Sequence, residues 1–351
     1  MKSSINKRIE VDGSYGEGGG QILRTALALS AILKKPMALF HIRSKRKNPG
    51  LQAQHLAAVE ALARVTEAQT EGVKFGSQRI IFIPQKILSG IYKFEIRSTG
   101  SVTLLVQAIF LPLCFSEGIS RVTLIGGTHV QWSPSFHYLS EVVLPTLERI
   151  GVSARAALEK WGFYPTGGGR IELAINPVRG LKPISLVDRG ALKKIHGVSA
   201  ISNLPRHVAD RQKEQALRRI QSELQIEAEI TVLDNVPSNG TGSFLFLLAE
   251  YEMGVAGFSS LGARGRPAEK VADQAVDSLK DYLLSDGCID PYLADQLVPF
   301  MALARGNSSF TTTRITEHLL TNLWVTQRFL GVKILTEGER GARGKVEFLN
   351  E

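Results

Sequence analysis

The chain has 351 residues, of which 44% are hydrophobic and 21% charged, and 42 lysines and arginines face 33 aspartates and glutamates for a net charge of +9. This composition excludes a disordered chain, the length predicts two or more domains, and the positive charge hints at a polyanionic partner. The two cysteines, Cys114 and Cys288, lie too far apart along the chain to form a CxxC pair, which excludes a disulfide scaffold and a cysteine-rich zinc site.

Strands and helices are predicted to alternate through the first 175 residues. The apolar spacing is helical in four segments, and β-branched and aromatic residues mark short strands between them. Pro49 suits the first turn of the second helix. The predicted helices cover 20–33, 49–66, 100–115 and 136–150, and the predicted strands cover 37–42, 79–83, 92–96 and 122–125, with two more strands around the run Gly167-Gly168-Gly169.

The longest uncharged stretch, residues 98–116, approaches the length of a membrane span. It contains Gly100, Gln107 and Pro112, and no second apolar stretch of this length accompanies it. A buried helix is therefore the preferred interpretation, and we expect a soluble, cytoplasmic protein.

Residues 187–286 differ from their surroundings in charge, with 12 basic and 14 acidic residues, whereas the rest of the chain carries a net +11. This segment has its own succession of strands and helices. The first two of three similar helix openings, at Gly20, Gly100 and Glu317, are 80 residues apart and suggest a repeated α/β unit. The sequence therefore predicts a large domain over 1–186 and 287–351, with a smaller domain inserted at 187–286.

A glycine-rich motif runs from Asp12 to Arg24 and includes Glu17. Glycines let a backbone approach phosphate closely, and the following helix start supplies N–H donors. A carboxylate at such a place suggests a divalent cation between Glu17 and the phosphate. The alternative is a tight turn that needs positive φ. The motif matches neither G-x-x-x-x-G-K-[ST] nor G-x-G-x-x-G.

A basic run follows at Arg43, Lys45, Arg46 and Lys47, within a first fifty residues of net charge +7. Two arginines three apart can hold phosphate oxygens, and this run precedes a predicted helix start. The alternative is a solvated surface loop. The full pattern is Arg43-x-x-Arg46-x-x-Pro49-Gly50-Leu51-x-x-Gln54-His55.

Two further motifs lie near the C-terminus. Tyr292-Leu293-Ala294-Asp295-Gln296 places a carboxylate and an amide on an apolar helix, where a lone aspartate is usually a cap or exposed. Glu317-His318-Leu319-Leu320-Thr321-Asn322 places a histidine among apolar residues, where a lone histidine is usually a core residue.

In this order, the four motifs resemble the RNA 3′-terminal phosphate cyclase family over Asp12 to Phe348. The resemblance extends to Gly162-Phe163-Tyr164-Pro165-x-Gly167-Gly168-Gly169 and Pro205-Arg206-His207-Val208-Ala209. It implies an α/β fold in which a large domain of three repeated units, each resembling the C-terminal domain of translation initiation factor three, carries a smaller inserted α/β domain.

The resemblance also implies an activity, the ATP-dependent conversion of an RNA 3′-phosphate into a 2′,3′-cyclic phosphate with release of AMP and pyrophosphate. His318 matches the family's nucleophile, which forms a covalent histidine–AMP intermediate before AMP passes to the RNA 3′-phosphate. Glu17 matches the residue that binds a divalent metal, Mg²⁺ or Mn²⁺. The expected partners are ATP and an RNA with a 3′-terminal phosphate.

Further site residues are implied by the same resemblance. The segment 129–134 departs from the family pattern. The residues that match ATP-binding positions are Gln107, Pro134, Tyr292, Leu293, Ala294, Asp295 and Gln296, and those that match positions for phosphate and the RNA end are Arg24, Arg43, Arg46, Gln54 and His55.

Two alternatives remain open from the sequence. A non-catalytic relative serves ribosome assembly but lacks the histidine that stands here as His318, so the enzyme is preferred. An enolpyruvate transferase would share a repeated architecture but would need neither ATP nor this histidine.

Overall fold

A computed structural model describes residues 8–96 and 99–350. The first seven residues of the predicted large domain, and Ser98 at the start of the uncharged stretch, lie outside the described residues. The fold is mixed α/β, as predicted, with four sheets of four strands each in the described ranges.

The first sheet has the order β1-β2-β4-β3, in which β1 and β2 are parallel and the other pairs antiparallel. Helix α1 begins after the glycine run and ends at Lys34, whose backbone turns left-handed with φ 52°. The elements are β1 (Ile9–Asp12), α1 (Gly20–Leu33), β2 (Met37–Phe40), α2 (Ala53–Thr66), β3 (Gln69–Glu71) and β4 (Ile80–Ile83).

The second sheet repeats this order as β5-β6-β8-β7, again with one parallel pair, β5 and β6. Helix α3 is apolar on almost all sides because it is buried, as predicted for the uncharged stretch. The elements are β5 (Ile91–Glu95), α3 (Val102–Cys114), β6 (Ser120–Gly126), α4 (Phe136–Tyr138), a π-helical turn (Leu139–Val143), α5 (Leu144–Arg149), β7 (Ala154–Lys160) and β8 (Gly169–Ile175).

A short strand, β9 (Ser185–Leu186), precedes a third sheet of order β11-β10-β12-β13 formed within residues 187–286. This sheet and its helices enclose a hydrophobic core of their own. The elements are β10 (Leu192–Ser202), α6 (His207–Arg219), a π-helical turn (Ile220–Leu224), β11 (Ala228–Leu233), β12 (Gly242–Tyr251), β13 (Val255–Leu261) and α7 (Ala268–Leu283).

The fourth sheet has the order β9-β14-β16-β15, with β9 parallel to β14. Three of the four sheets therefore share one order and one pattern of strand directions. The remaining elements are α8 (Pro291–Ala302), β14 (Ser308–Thr312), α9 (Glu317–Phe329), β15 (Lys333–Glu337) and β16 (Gly344–Leu349).

The helices of these three sheets pack against one another: α1 contacts α2, α3 and α9, and α8 contacts α9. Helices from both ends of the chain therefore meet in one apolar core. Within the described ranges, no helix is both long and apolar enough to cross a membrane.

One predicted helix start was wrong, and one strand of the 187–286 segment was not predicted. Helix α2 begins at Ala53 rather than at Pro49, because Gln52 caps it: the Gln52 and His55 side chains each bond the other residue's backbone N–H. Pro49 and Gly50 belong to the loop before it. Strand β13 was not predicted, because Gly257, Ser259 and Ser260 interrupt its apolar pattern.

Candidate active site

Helix caps place the candidate side chains of α8 and α9. The hydroxyl of Thr316 accepts a hydrogen bond from Leu319 N at 3.0 Å, so His318 lies in the first turn of α9. The carboxylate of Asp290 accepts bonds from Tyr292 N and Leu293 N at 2.8 and 3.1 Å at the start of α8. Asp295 and His318 thus project from helices that pack on α1 and on each other.

The glycine-rich loop brings Glu17 back toward α9. A Cβ atom on Gly19 would lie 2.1 Å from Glu17 Oε1, so a larger residue there would displace the Glu17 carboxylate from this position. Glu17 Oε2 lies 3.1 Å from His318 Nε2 and 3.0 Å from Arg46 Nη2. The glycine-rich loop therefore places the Glu17 carboxylate beside the candidate nucleophile, and Arg46 from the basic run pairs with that carboxylate.

A chain of hydrogen bonds fixes the orientation of the His318 ring. Gln21 Nε2 donates to Asp295 Oδ2 at 2.5 Å, so the amide oxygen of Gln21 faces His318 Nδ1 at 2.8 Å. An amide oxygen only accepts, so Nδ1 carries a hydrogen, and Nε2, which faces the Glu17 carboxylate at 3.1 Å, is the nitrogen that can attack once Glu17 withdraws.

Further hydrogen bonds hold Asp295 in place from α9 and α1. Asn322 Nδ2 donates to the backbone oxygen of Asp295 at 2.5 Å, and Thr25 Oγ1 donates to Asn322 Oδ1 at 2.6 Å. Helices α1, α8 and α9 are therefore joined by polar bonds directly beneath the histidine.

The pKa of His318 is lowered below its ordinary value. Burial of the ring is the main cause, and the charges of Arg24 and Arg46 act in the same direction, while Glu17 opposes them. The neutral imidazole that nucleophilic attack requires is therefore favoured. The side chain is 54% exposed, so a substrate can reach the ring.

A largely apolar cavity opens beside this chain. Arg24 Nε donates to Gln107 Oε1 at 3.1 Å in its wall, and burial lowers the pKa of Arg24 to about 10, which keeps it charged at neutral pH. The predicted residues that line this cavity are Arg24, Gln107, Pro134, Asp295 and Gln296.

Three predicted ATP-binding residues are placed differently. The side chains of Leu293 and Ala294 are buried in the core, and Tyr292 is 56% exposed at the start of α8. In the described parts of the chain none of the three lines the cavity. Their contacts with ATP stay predictions.

The residues predicted for phosphate and the RNA end fall into two groups: Arg24 and Arg46 lie near His318, and His55, Arg43 and Gln54 form the second group. Burial and the charges of Arg24 and Arg43 lower the pKa of His55 to about 3, so this ring beside Gly20 is neutral. Arg43 Nη1 donates to Asn48 O and Gly50 O at 2.6 and 3.0 Å, which closes its own loop. Gln54 is half-buried. In the part of the chain that the structure describes, no side-chain hydrogen bond joins it to Arg24, Arg43, Arg46 or His55.

Glu17 has few other potential metal ligands among the described side chains around it. No group of three His, Cys, Asp or Glu side chains in the described ranges could hold a metal ion. Mg²⁺ commonly takes only one or two carboxylates and completes its shell with phosphate oxygens and water. Glu17 fits a metal of that kind, bound together with phosphate, and does not fit a protein-only site.

Gln21 is a site residue that the sequence analysis missed. It is 5% exposed and joins Asp295 to His318, although 274 and 297 residues separate it from them. Its one sequence signal was its place at the end of the glycine run, where a polar side chain enters an otherwise apolar helix.

Asp295 should make stability depend on pH. Burial is the main cause that raises its pKa to about 7, so the folded protein holds a proton that the unfolded chain releases near pH 4. Its contribution to stability is complete below about pH 4 and is lost as the pH rises through about 7. Asp295→Asn cannot ionise, so its melting temperature should rise relative to wild type between pH 5 and pH 8. Asp234→Asn, at an exposed position, is the control, and a pH-independent difference would contradict the prediction.

Comparisons with known proteins agree with the resemblance found in the sequence. The sequence profile of the family described as "RNA 3'-terminal phosphate cyclase" matches residues 15–336. The chain is 43% identical over 343 residues to the RNA 3′-terminal phosphate cyclase of Staphylothermus marinus, with 96% of each chain covered. It is 40% identical to that of Methanopyrus kandleri, with 97% of this chain and 98% of the relative covered.

One solved structure, the enolpyruvyl transferase NikO from Streptomyces tendae, overlaps 98% of this chain and 48% of its own, at 11% identity and a TM-score of 0.37.

Proposed function

The chain belongs to the RNA 3′-terminal phosphate cyclase family and is an enzyme of that type. We propose that it converts an RNA 3′-terminal phosphate to a 2′,3′-cyclic phosphate, consuming ATP and releasing AMP and pyrophosphate. The observation that carries the proposal is the bonded series Asp295–Gln21–His318, which holds a proton of an accessible histidine on Nδ1 and directs Nε2 toward Glu17, with Arg24 and Arg46 close by.

In the first step, His318 Nε2 attacks the α-phosphate of ATP, forming a nitrogen–phosphorus bond as the bond to pyrophosphate breaks. Gln21 holds the proton on Nδ1, which places the lone pair on Nε2. Arg24 and Arg46 lie close enough to His318 to lower its pKa, and the same charges would offset the negative charge of the transferring phosphate.

In the second step, an oxygen of the RNA 3′-phosphate attacks the phosphorus of His318–AMP, and the bond to Nε2 breaks. In the third step, the neighbouring 2′-hydroxyl loses its proton and attacks the activated 3′-phosphate, and AMP leaves. ATP is required because an unactivated phosphate would have to expel hydroxide. The last attack is intramolecular, so correct positioning supplies much of its rate.

We propose Glu17 as the ligand of a divalent cation, Mg²⁺ or Mn²⁺, that would offset phosphate charge when bound. To accept it, Glu17 must release His318 Nε2, which it contacts at 3.1 Å.

We also propose that the three sheets of common order are copies of one repeated unit, similar to the C-terminal domain of translation initiation factor three. Residues 187–286 would then be a domain inserted into the third copy. The support is that this segment lies between β9 and α8 and encloses its own core.

The cyclisation chemistry is tested by removing its nucleophile from the RNA. An oligonucleotide ending in a 2′-deoxynucleotide 3′-phosphate should accept AMP and accumulate as the activated end, because no 2′-hydroxyl can expel AMP. The matched ribonucleotide should yield the cyclic end, detected by its resistance to phosphatase. Failure of the ribonucleotide to cyclise with ATP and Mg²⁺ or Mn²⁺ would refute the proposed function.

RNA-end binding should depend only modestly on salt. The cations at the site can contact two or three phosphates, and each contact to a single strand contributes roughly −0.7 to the slope of log K against log salt concentration. We expect a slope of about −2 in a titration from 50 to 300 mM salt. A slope steeper than about −5 would indicate a long electrostatic track and contradict a local site.

A further inference from the structure

Two large aromatic side chains that the proposed chemistry does not use are exposed, and one of them lies on a turn that reaches the cavity wall. Trp132 is 95% exposed and Tyr164 is 71% exposed. Aromatic rings of this size usually bury most of their surface area, so two exposed rings in neighbouring turns indicate a surface that binds a partner.

The turn that carries Trp132 is fixed to the cavity wall. Thr103 Oγ1 donates to Pro134 O at 2.7 Å, and both residues line the cavity. Ser133 Oγ closes the turn by donating to Val130 O at 3.0 Å. Consecutive Cα atoms are about 3.8 Å apart, so the Cα atom of Trp132 lies within about 7.6 Å of that of Pro134.

The backbone of this turn is strained at the tryptophan. Trp132 has φ +64°, a left-handed conformation that a bulky residue seldom adopts. The turn thus holds an exposed ring at the rim of the cavity in an unfavourable conformation, where a small residue would fold more readily.

Tyr164 lies on a turn next to the turn that carries Trp132. His129 and Phe163 form a parallel β-bridge, so the two segments that follow them run in the same direction into their turns. The second turn closes where Gly167 N donates to Phe163 O at 2.7 Å. The two exposed rings therefore stand on adjacent turns.

The second turn also meets the 187–286 segment. A Cβ atom on Gly240 would lie 2.9 Å from Thr166 Cβ, and one on Gly168 would lie 3.3 Å from Asn239 Nδ2. Asn203 Nδ2 donates to Gly240 O at 3.0 Å, three residues before Arg206. The Arg206 side chain is 65% exposed, and its pairing with Asp210 is long, at 3.5 Å.

We propose that Trp132, Tyr164, Asn239 and Arg206, the aromatic surface, bind single-stranded nucleotides upstream of the RNA 3′-terminal phosphate. Bases stack on the two rings, and Arg206 contacts the backbone. Rings separated by polar and cationic side chains are typical of single-strand binding, whereas a protein partner would favour a contiguous apolar patch. This inference rests on the proposed function and gives the 187–286 segment a part in RNA binding.

Trp132→Ala tests the aromatic surface. The KM for an eight-nucleotide RNA 3′-phosphate should rise roughly tenfold, the loss expected for one stacked base, while kcat at saturating RNA changes little. A dinucleotide 3′-phosphate offers fewer bases to stack, so its KM should rise less than that of the eight-nucleotide RNA. The control is Ile119→Ala, a 59% exposed residue at the opposite end of β6, about 20 Å away along the strand.

Fluorescence gives an independent readout. Trp161 is 6% exposed and Trp324 is covered by Tyr15, so RNA binding should quench the emission of Trp132. The eight-nucleotide RNA should quench wild type, and the quenching should disappear in Trp132→Ala.

The outcomes separate the two proposals. If wild type does not cyclise RNA, the proposed function fails. If wild type cyclises RNA but Trp132→Ala keeps its KM and wild type shows no quenching, the aromatic surface is refuted alone. Loss of covalent labelling by ATP in Trp132→Ala would assign the ring to the ATP pocket and also overturn the RNA assignment.

Discussion

His318→Ala should abolish covalent labelling of the protein by ATP carrying a labelled α-phosphate, and with it RNA cyclisation. Nε2 of this ring is the nitrogen that is not bonded to Gln21; it faces Glu17, and the side chain is exposed to solvent. Wild type should acquire a label whose bond is labile in acid and stable in alkali, as a phosphoramidate is. Labelling is measured by electrophoresis under denaturing conditions.

The control for this experiment is His207→Ala, which removes an exposed histidine at the start of α6 and should leave labelling intact. Label that persists in His318→Ala, or that never forms in wild type, would rule out the covalent mechanism. Mass spectrometry of a tryptic digest would then locate the labelled residue.

Gln21→Leu should reduce the rate of self-labelling by up to roughly 10⁴-fold, the loss seen when a catalytic histidine is held in the wrong tautomer. Leucine is of similar size but cannot accept the Nδ1 hydrogen, so the proton can move to Nε2 and block attack. The ¹⁵N chemical shifts of His318 should report this change of tautomer directly, which a purely structural role for Gln21 would not produce.

Gln21→Glu provides the conservative test. A carboxylate can still accept the Nδ1 hydrogen, although it repels Asp295, so labelling should recover in part. Gln212→Leu, at a buried glutamine of α6, is the matched control and should label like wild type. Equal labelling rates for Gln21→Leu and wild type would show that Gln21 has no positioning role.

Local patterns predicted most elements of the fold. Helix α1 has the predicted bounds, and the uncharged stretch forms the buried α3, because apolar periodicity reports burial directly. The start of α2 was misplaced because a glutamine–histidine cap lacks the usual residue types at a helix start. The π-helical turns were also not predicted, since they continue a helical pattern without a break.

The candidate site was predicted only in part for a different reason. His318, Glu17 and Asp295 belong to motifs, but the contacts between them depend on how helices from distant parts of the chain pack. Gln21 carries no motif that links it to residues 274 and 297 positions away. Trp132 lies in the segment 129–134 that departs from the family pattern, but sequence alone does not distinguish an exposed aromatic ring from a core residue.

The path of the chain through the fourth sheet determines when activity can arise during synthesis. Strand β9 pairs with β14 across a separation of 124 residues, and His318 lies on the helix that follows β14. Such distant pairings close slowly. The ribosome must therefore synthesise residues 187–286 and α9 before α1 can pack against α9. Any fragment that ends before residue 318 lacks the proposed nucleophile, so we expect ATP-labelling competence to mark chains in which the two distant parts have joined.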